Sequence, residues 1–179
     1  MVSGKIAQGL AILLGLLTLS QPARAISSNE ATTEFGSARL VSAVSATGML
    51  DRIPLGLQLR LPQGWKTYWR SPGDAGLPAR IDWKGSQNLA EATMRWPIPE
   101  RFSLFGLESY GYEHEVVLPI DARPATPGAA MTINATVDWL VCKEICVPLT
   151  AELRLALPAG AAQPTEFAHL IDRFSVRVP

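Results

Sequence analysis

The sequence predicts an all-β sandwich of about eight strands followed by a short C-terminal helix. Short segments with period-2 alternation of apolar residues are separated by turn signals, which is typical of a sandwich. The 179 residues include 14 glycines and 14 prolines, more turn residues than a helix bundle accommodates. The last residues change to the period of an amphipathic helix. A chain of this length can bury a substantial core.

The first 25 residues are typical of a secretory signal peptide. Lys5 supplies a positive charge, and Leu10 to Leu19 is an apolar run shorter than the roughly 20 residues that span a bilayer. Ala23-Arg24-Ala25 matches an A-x-A cleavage site, so we expect cleavage after Ala25 and export from the cytoplasm. The alternative is an uncleaved N-terminal anchor.

The remaining chain divides into three parts. Residues 26–36 are polar and are expected to form a flexible leader. Residues 37–160 are expected to form the sandwich domain, and residues 161–179 a C-terminal helix or linker. Alternation predicts strands in eight segments: Arg39–Thr47, Leu55–Leu61, Trp65–Arg70, Arg80–Trp83, Ala92–Trp96, Val116–Ile120, Thr132–Val141 and Leu149–Leu157.

The segments between these strands are predicted to be loops. Ser71–Gly76 and Ala122–Ala130 are rich in glycine, proline and small residues. Trp96–Pro99 contains two prolines and is excluded from a central strand. Arg101–Glu115 is aromatic with interspersed glycines, and we interpret it as a long ordered loop.

The C-terminal helix is predicted from the spacing of its apolar residues. Phe167, Leu170, Ile171 and Phe174 fall at i, i+3, i+4 and i+7. Thr165, just after a proline, is placed to cap the helix.

The charge balance limits the classes of partner. The 16 basic and 16 acidic side chains give no net charge, which argues against a nucleic-acid binder. Removal of residues 1–25 takes away Lys5 and Arg24 and no acidic residue, and leaves a net charge of −2.

The two cysteines of the chain, Cys142 and Cys146, lie in one C-x3-C segment between two predicted strands. A fully extended chain would separate their Cα atoms by about 13 Å, beyond disulfide reach, whereas a tight turn would bring them into range. A five-residue ring would add only about 2 kcal/mol as a staple, so the spacing favours an exchangeable pair. The alternative is a passive disulfide in a non-enzymatic binding module with a sandwich fold. Lys143 favours a nearby thiolate and Glu144 opposes it.

A soft metal ion such as Cu(I) is a third interpretation of the cysteines. His114, and His169 or Met131, would have to complete the site. These residues lack metal-ligand spacing, so we expect no metal and no other cofactor.

Four segments carry a family resemblance. Glycine, tryptophan, tyrosine and cysteine positions in Gly64–Gly76, Tyr110–Glu113, Asp138–Cys142 and Cys146–Pro148 resemble the N-terminal periplasmic domain of the DsbD/ScsB thiol:disulfide interchange proteins, and the ScsB-like branch in particular. The resemblance covers nearly all of residues 37–160 in order.

The resemblance implies an immunoglobulin-like β-sandwich whose Cys142 and Cys146 form a redox pair. It implies that a thioredoxin-like domain supplies the electrons and that thioredoxin-fold proteins such as periplasmic disulfide isomerases accept them. It also implies a link to a membrane domain that is absent from this chain. Cys146 is our preference for the attacking cysteine. DsbD spaces its cysteines more widely, so the loop geometry is expected to differ.

The family also has an aromatic cap loop that shields the cysteines. Here it corresponds to Leu107–Gly111, where Ser109 replaces the phenylalanine of DsbD. The resemblance therefore implies that the cap includes Glu108, with Tyr110, Phe105 or Phe102 as its shielding ring.

Overall fold

The computed structural model describes residues 26–104 and 106–179, and they form two antiparallel sheets with one short helix. The strands and the helix are β1 Ala31–Thr33, β2 Gly36–Ser42, β3 Ile53–Arg60, β4 Lys66–Gly73, β5 Arg80–Asp82, β6 Leu89–Met94, β7 Glu100–Leu104, β8 Leu107–Glu113, β9 Glu115–Pro124, β10 Met131–Cys142, β11 Cys146–Leu157 and α1 Ala168–Ser175. The predicted signal peptide, residues 1–25, lies outside the described residues.

The two sheets confirm the predicted immunoglobulin-like sandwich. The first sheet has the order β1-β2-β3-β9-β6, and the second has the order β11-β10-β4-β8-β7, with β5 paired to β10. The described residues contain eleven strands rather than about eight. The additional strands come from segments that we expected to be leader and loop.

The core lies between the sheets, where alternate residues of each strand meet. Leu55, Leu57 and Leu59 of β3 are almost fully buried and belong to one hydrophobic cluster with the inner residues of β10 and β11. Along β10 as far as Val141, and along β11 from Ala151, every second residue is buried and its neighbours are more exposed. This is the period-2 pattern from which the strands were predicted.

Residues 26–36 do not form the flexible leader that we expected. β1 pairs with β2, and the Ser28 N–H donates to the Leu40 carbonyl oxygen. The Glu30 carboxylate accepts a hydrogen bond from the Ser37 hydroxyl and lies 3.9 Å from the Arg39 guanidinium. These contacts fix the segment to the first sheet because its polar side chains find partners on β2.

The predicted C-terminal helix is present and covers the outer face of the first sheet. Its buried residues are Ile171 and Phe174, and Ile171 packs over Gly56 of β3. Thr165 does not cap the helix as predicted. Its hydroxyl accepts from the Phe167 N–H in the turn before α1, because the helix begins only at Ala168.

A polar network lies on this outer face, beside the helix. The fully buried Gln58 accepts from Arg39 at 2.6 Å and donates to the Glu115 carboxylate at 2.6 Å. Glu115 also accepts hydrogen bonds from Arg60 and Arg173, the latter on α1. Burial alone would raise the pKa of Glu115, but these hydrogen bonds and cations hold it below its ordinary value. The network ties β3, β9 and α1 together.

In the two described stretches, we find no helix with both the length and the apolar character needed to cross a membrane.

Candidate redox site

The two cysteines close the β10–β11 hairpin. Cys142 ends β10, Cys146 begins β11, and the two residues are register partners at the last rung of the ladder. Their Cα atoms lie 4.1 Å apart and their sulfurs form a disulfide bond of 2.05 Å. Lys143, Glu144 and Ile145 form the connecting loop, in which the Lys143 N–H donates to the Ile145 carbonyl oxygen. The turn required by the C-x3-C spacing is therefore present.

The disulfide lies on the outer face of the second sheet, away from the core. The alternating neighbours Val141 and Trp139 point inward and are buried, so Cys142 and Leu140 point outward. The exposure of the two cysteines differs: Cys142 is only 6% exposed, whereas Cys146 is exposed. Cys146 is therefore accessible to a partner protein, and Cys142 is covered.

Strand β4 lies beside the buried cysteine. Lys66, the first residue of β4, is the register partner of Cys142 across the sheet. The Thr67 hydroxyl donates to the Leu140 carbonyl oxygen at 3.0 Å, which holds β4 against the end of β10. The Lys66 ammonium lies 3.9 Å from the Glu113 carboxylate and 4.4 Å from the centroid of the Phe102 ring.

The loop after β4 folds back over Tyr68. Pro78 forms a bridge with Tyr68, and Gly76 lies against its ring: a Cβ at position 76 would come within 2.2 Å of it. With a φ of +105°, Gly76 also has a backbone conformation that side-chain-bearing residues rarely adopt. Tyr68 is buried as a result, and burial raises the pKa of its phenol.

This loop forms one wall of a groove beside the disulfide. Leu77 and Pro78 face Leu140 and Pro148, a register pair one step along the outer face from the cysteines. The groove encloses about 420 Å³ and has Arg80, Asp138 and Thr150 at its polar end. Leu77 is 60% exposed, so an apolar surface continues from the groove to solvent.

The cap segment is a β-hairpin, which corrects our interpretation of Arg101–Glu115 as a long loop. β7 and β8 pair in register from Glu100–Gly111 to Leu104–Leu107, and β9 begins at Glu115. The alternation of apolar and polar residues is weak here because both faces of the hairpin carry polar side chains. The pattern therefore did not predict strands.

The sequence-predicted cap residues lie on different faces of this hairpin. Phe105 lies outside the described residues. By strand alternation, Phe102 and its register partner Ser109 lie on the same face of the sheet as Glu113 and the disulfide. Tyr110 and Glu108 point to the opposite face. A hydrogen bond from Arg101 holds the pKa of Glu108 below its ordinary value. The Glu108 backbone bonds to Asp74, which anchors the loop after β4.

The residues considered for a metal site are not brought together. Met131 is buried at the opposite end of β10 from Cys142, about 36 Å away along the strand. His169 is on α1, which packs on the first sheet, whereas the cysteines are in the second. His114 is exposed in the turn between β8 and β9. Among residues 26–104 and 106–179, no group of three His, Cys, Asp or Glu side chains could hold a metal ion.

Sequence reasoning missed Lys66 and Glu113 as neighbours of the cysteines. The alternation of Trp65–Arg70 predicts a strand there. Whether that strand lies next to Cys142, however, depends on the sheet order. That order is not encoded in any local pattern.

Comparisons with known proteins identify relatives of this arrangement. The family model described as thiol:disulfide interchange protein DsbD, N-terminal, matches residues 37–158. The crystal structure of the N-terminal periplasmic domain of ScsB from Proteus mirabilis is 28% identical, with a TM-score of 0.68 over 87% of this chain and 60% of that chain. The reduced DsbD N-terminal domain of Neisseria meningitidis is 12% identical, with a TM-score of 0.35 over 71% of this chain and 90% of that chain. No curated protein matches the chain.

Proposed function

This chain belongs to the family of DsbD N-terminal domains, in its ScsB-like branch, and from that premise we propose that it is a periplasmic protein-disulfide reductase module. Its Cys142–Cys146 pair receives two electrons from one partner protein and passes them to another. The chain spans 60% of the Proteus mirabilis ScsB structure that it matches, so the partners named below are part of the proposal.

The observation that carries the proposal is the position of the disulfide in the hairpin. The bond joins two residues that the β10–β11 ladder already holds opposite each other. Closing a five-residue ring restricts the unfolded chain little, and contributes only about 2 kcal/mol to stability. A bond of small structural value with an exposed cysteine at the protein surface is suited to exchange.

The exposure of Cys146 supports different roles for the two sulfurs. A partner thiolate attacks the Cys146 sulfur, forms a mixed disulfide with it and releases Cys142 as a thiolate. The second thiol of the partner, after losing its proton, attacks the mixed disulfide and releases Cys146. The domain has then gained two electrons and two protons, and the partner is oxidised. The same steps run in reverse toward the electron acceptor.

The N-terminal residues and the relatives support a proposal for the compartment. We propose that residues 1–25 are a signal peptide cleaved after Ala25 and that the domain works in the periplasm, where the Proteus mirabilis ScsB domain is located. In an oxidising compartment a reduced pair requires a supply of electrons. A thioredoxin-like donor domain would supply them, thioredoxin-fold proteins such as disulfide isomerases would accept them, and no small-molecule cofactor is needed.

An aromatic shield over the cysteines completes the proposal. Phe102, Phe105 and Tyr110 are the rings that the family resemblance points to. The position of Phe102 over Lys66, whose register partner is Cys142, supports Phe102 in this role. A ring here would limit access of small oxidants and thiols until a partner displaces it.

Trapping of the mixed disulfide tests the function. In a Cys142→Ala variant the exposed Cys146 can form a mixed disulfide, and this domain has no second cysteine to resolve it. We expect this variant, produced in the periplasm, to form a covalent complex with a thioredoxin-fold protein that disappears under reducing conditions. The Cys142→Ala/Cys146→Ala double variant is the control. If neither single cysteine variant traps a thioredoxin-fold protein, the relay function is wrong.

A further inference from the structure

Lys66 is the charged residue that the sheet places beside the buried cysteine. Lys66 and Cys142 are register partners on adjacent antiparallel strands, so their side chains share the outer face. The Cβ atoms of such a pair lie about 4.5–5.5 Å apart. An ammonium group on a lysine side chain can reach a sulfur at that distance without any backbone movement.

The ammonium lies on this outer face, on the side of β4 that neighbours β8 and β7. It lies 3.9 Å from the Glu113 carboxylate and 4.4 Å from the centroid of the Phe102 ring, and the Lys66 side chain is only 25% exposed. Partial burial reduces solvent screening, so the positive charge acts more strongly on its neighbours than a surface lysine would.

Other charged groups near the cysteines lie in more exposed positions. Lys143 and Glu144 are in the exposed connecting loop, and the Lys143 stem extends toward Gly64. Asp138, farther down the outer face of β10, bonds to the Thr150 hydroxyl, and β11 contributes no charged residue next to Cys146 on that face. Lys66, opposed by Glu113, is therefore the cation best placed to act on Cys142.

We propose that Lys66 stabilises the Cys142 thiolate and that Glu113 moderates this effect. The inference rests on the proposed function, in which a partner thiolate attacks Cys146 and the Cys146–Cys142 bond breaks. The electron pair of that bond leaves with Cys142, and a lower pKa of the leaving thiol makes it leave faster. Lys66 influences the reaction only through its effect on Cys142. It is therefore a positioning residue rather than a catalytic one.

Titration of Cys142 measures the effect directly. In a reduced Cys146→Ala background, thiolate absorbance near 240 nm reports the pKa of Cys142 alone. We expect Lys66→Met to raise this pKa by about one unit, since an opposite charge within about 4–6 Å lowers a pKa by about 1–3 units. Lys66→Arg should preserve the wild-type value, and Glu113→Gln should lower the pKa. Lys84→Met, which removes an exposed lysine far from the cysteines, is the matched control.

The wild-type pair gives a second readout. At a pH well above the Cys142 pKa of both the wild type and the variant, we expect Lys66→Met to shift the equilibrium with glutathione about tenfold toward the disulfide, which corresponds to about 30 mV. Below the pKa of both variants the two equilibria should coincide, because Cys142 is then a neutral thiol in each. A merely structural defect would shift the equilibrium at every pH. Reduction of the oxidised variant by dithiothreitol should also be several times slower.

The results separate this inference from the proposed function. Equal Cys142 pKa values in Lys66→Met and Lys84→Met would overturn the inference, even where the wild-type domain exchanges readily with dithiols. If Lys66→Met fails to fold, Glu113→Gln decides: an unchanged or raised Cys142 pKa would contradict the inference. Absence of exchange in the wild type would instead contradict the proposed function.

Discussion

Cys142 and Cys146 are direct register partners at the end of one hairpin, yet Cys142 is buried and Cys146 is exposed. The difference arises because Cys142 is on an inner strand, covered by β4 on its other side, whereas β11 is the edge strand of the sheet. An approaching protein can reach the cysteine of the edge strand without opening the sheet. The strand order thus distinguishes an accessible cysteine from a covered one.

Alkylation of the reduced protein should follow this difference. We expect iodoacetamide to modify Cys146 several times faster than Cys142, because the thiolate that displaces iodide from the reagent must be accessible. Mass spectrometry of peptides from a time course under limiting reagent measures the order. A faster reaction at Cys142 would contradict the assignment of Cys146 as the attacked residue.

Gly76 should be intolerant of a side chain because of its contact with Tyr68. A Gly76→Ala substitution adds a Cβ that overlaps the ring and imposes strain at a φ of +105°. We expect a loss of about 2–4 kcal/mol in the free energy of unfolding, measured by urea denaturation. Gly85→Ala is the control: its φ is +83° but its added Cβ has only an ordinary contact, so about 1–2 kcal/mol is expected. Equal losses in the two variants would show that the ring contact is unimportant.

The Glu115 network should make stability depend on acid pH. The folded-state pKa of Glu115 is lowered, so its contribution is complete above the unfolded pKa of about 4.3 and is lost as the pH falls through the folded pKa. We expect Glu115→Gln to lower the free energy of unfolding at pH 7 by about 1–2 kcal/mol and to differ less from wild type near pH 3. Thermal denaturation of both proteins, measured at several pH values between the two, tests this prediction. A difference that stays constant with pH would contradict the prediction.

Phe102 should control access to the disulfide. Removal of its ring in Phe102→Ala exposes the face on which the cysteines lie, so we expect dithiothreitol to reduce the disulfide several times faster than in wild type. Tyr110→Ala is the comparison, because Tyr110 points to the other face of the hairpin. A larger acceleration in Tyr110→Ala would assign the shield to that ring instead.

Local patterns predicted the parts of this fold in which one strand face is apolar. Thr132–Val141 and Leu149–Leu157 alternate strongly, and both lie within the long strands β10 and β11. The helix was predicted by its apolar spacing, although its first residue was not, since the turn at Thr165 precedes it. The C-x3-C spacing required a turn, and the hairpin supplies one.

Such local patterns could not predict contacts between segments that are distant in sequence. The β7–β8 hairpin carries polar residues on both faces, so its alternation is weak and it was expected to be a loop. The neighbours of Cys142 depend on which strand lies next to β10, and pairing with Lys66 joins residues far apart in sequence. No local pattern encodes that choice of neighbour.

The reduction potential of the Cys142–Cys146 pair tests the central claim most directly. Equilibration of the purified domain with glutathione or thioredoxin buffers, followed by alkylation and mass spectrometry, gives the value. A relay pair should fall between about −120 and −270 mV, within the range of thioredoxin-fold exchange proteins. A potential well below about −300 mV would identify a passive structural disulfide and would contradict the account.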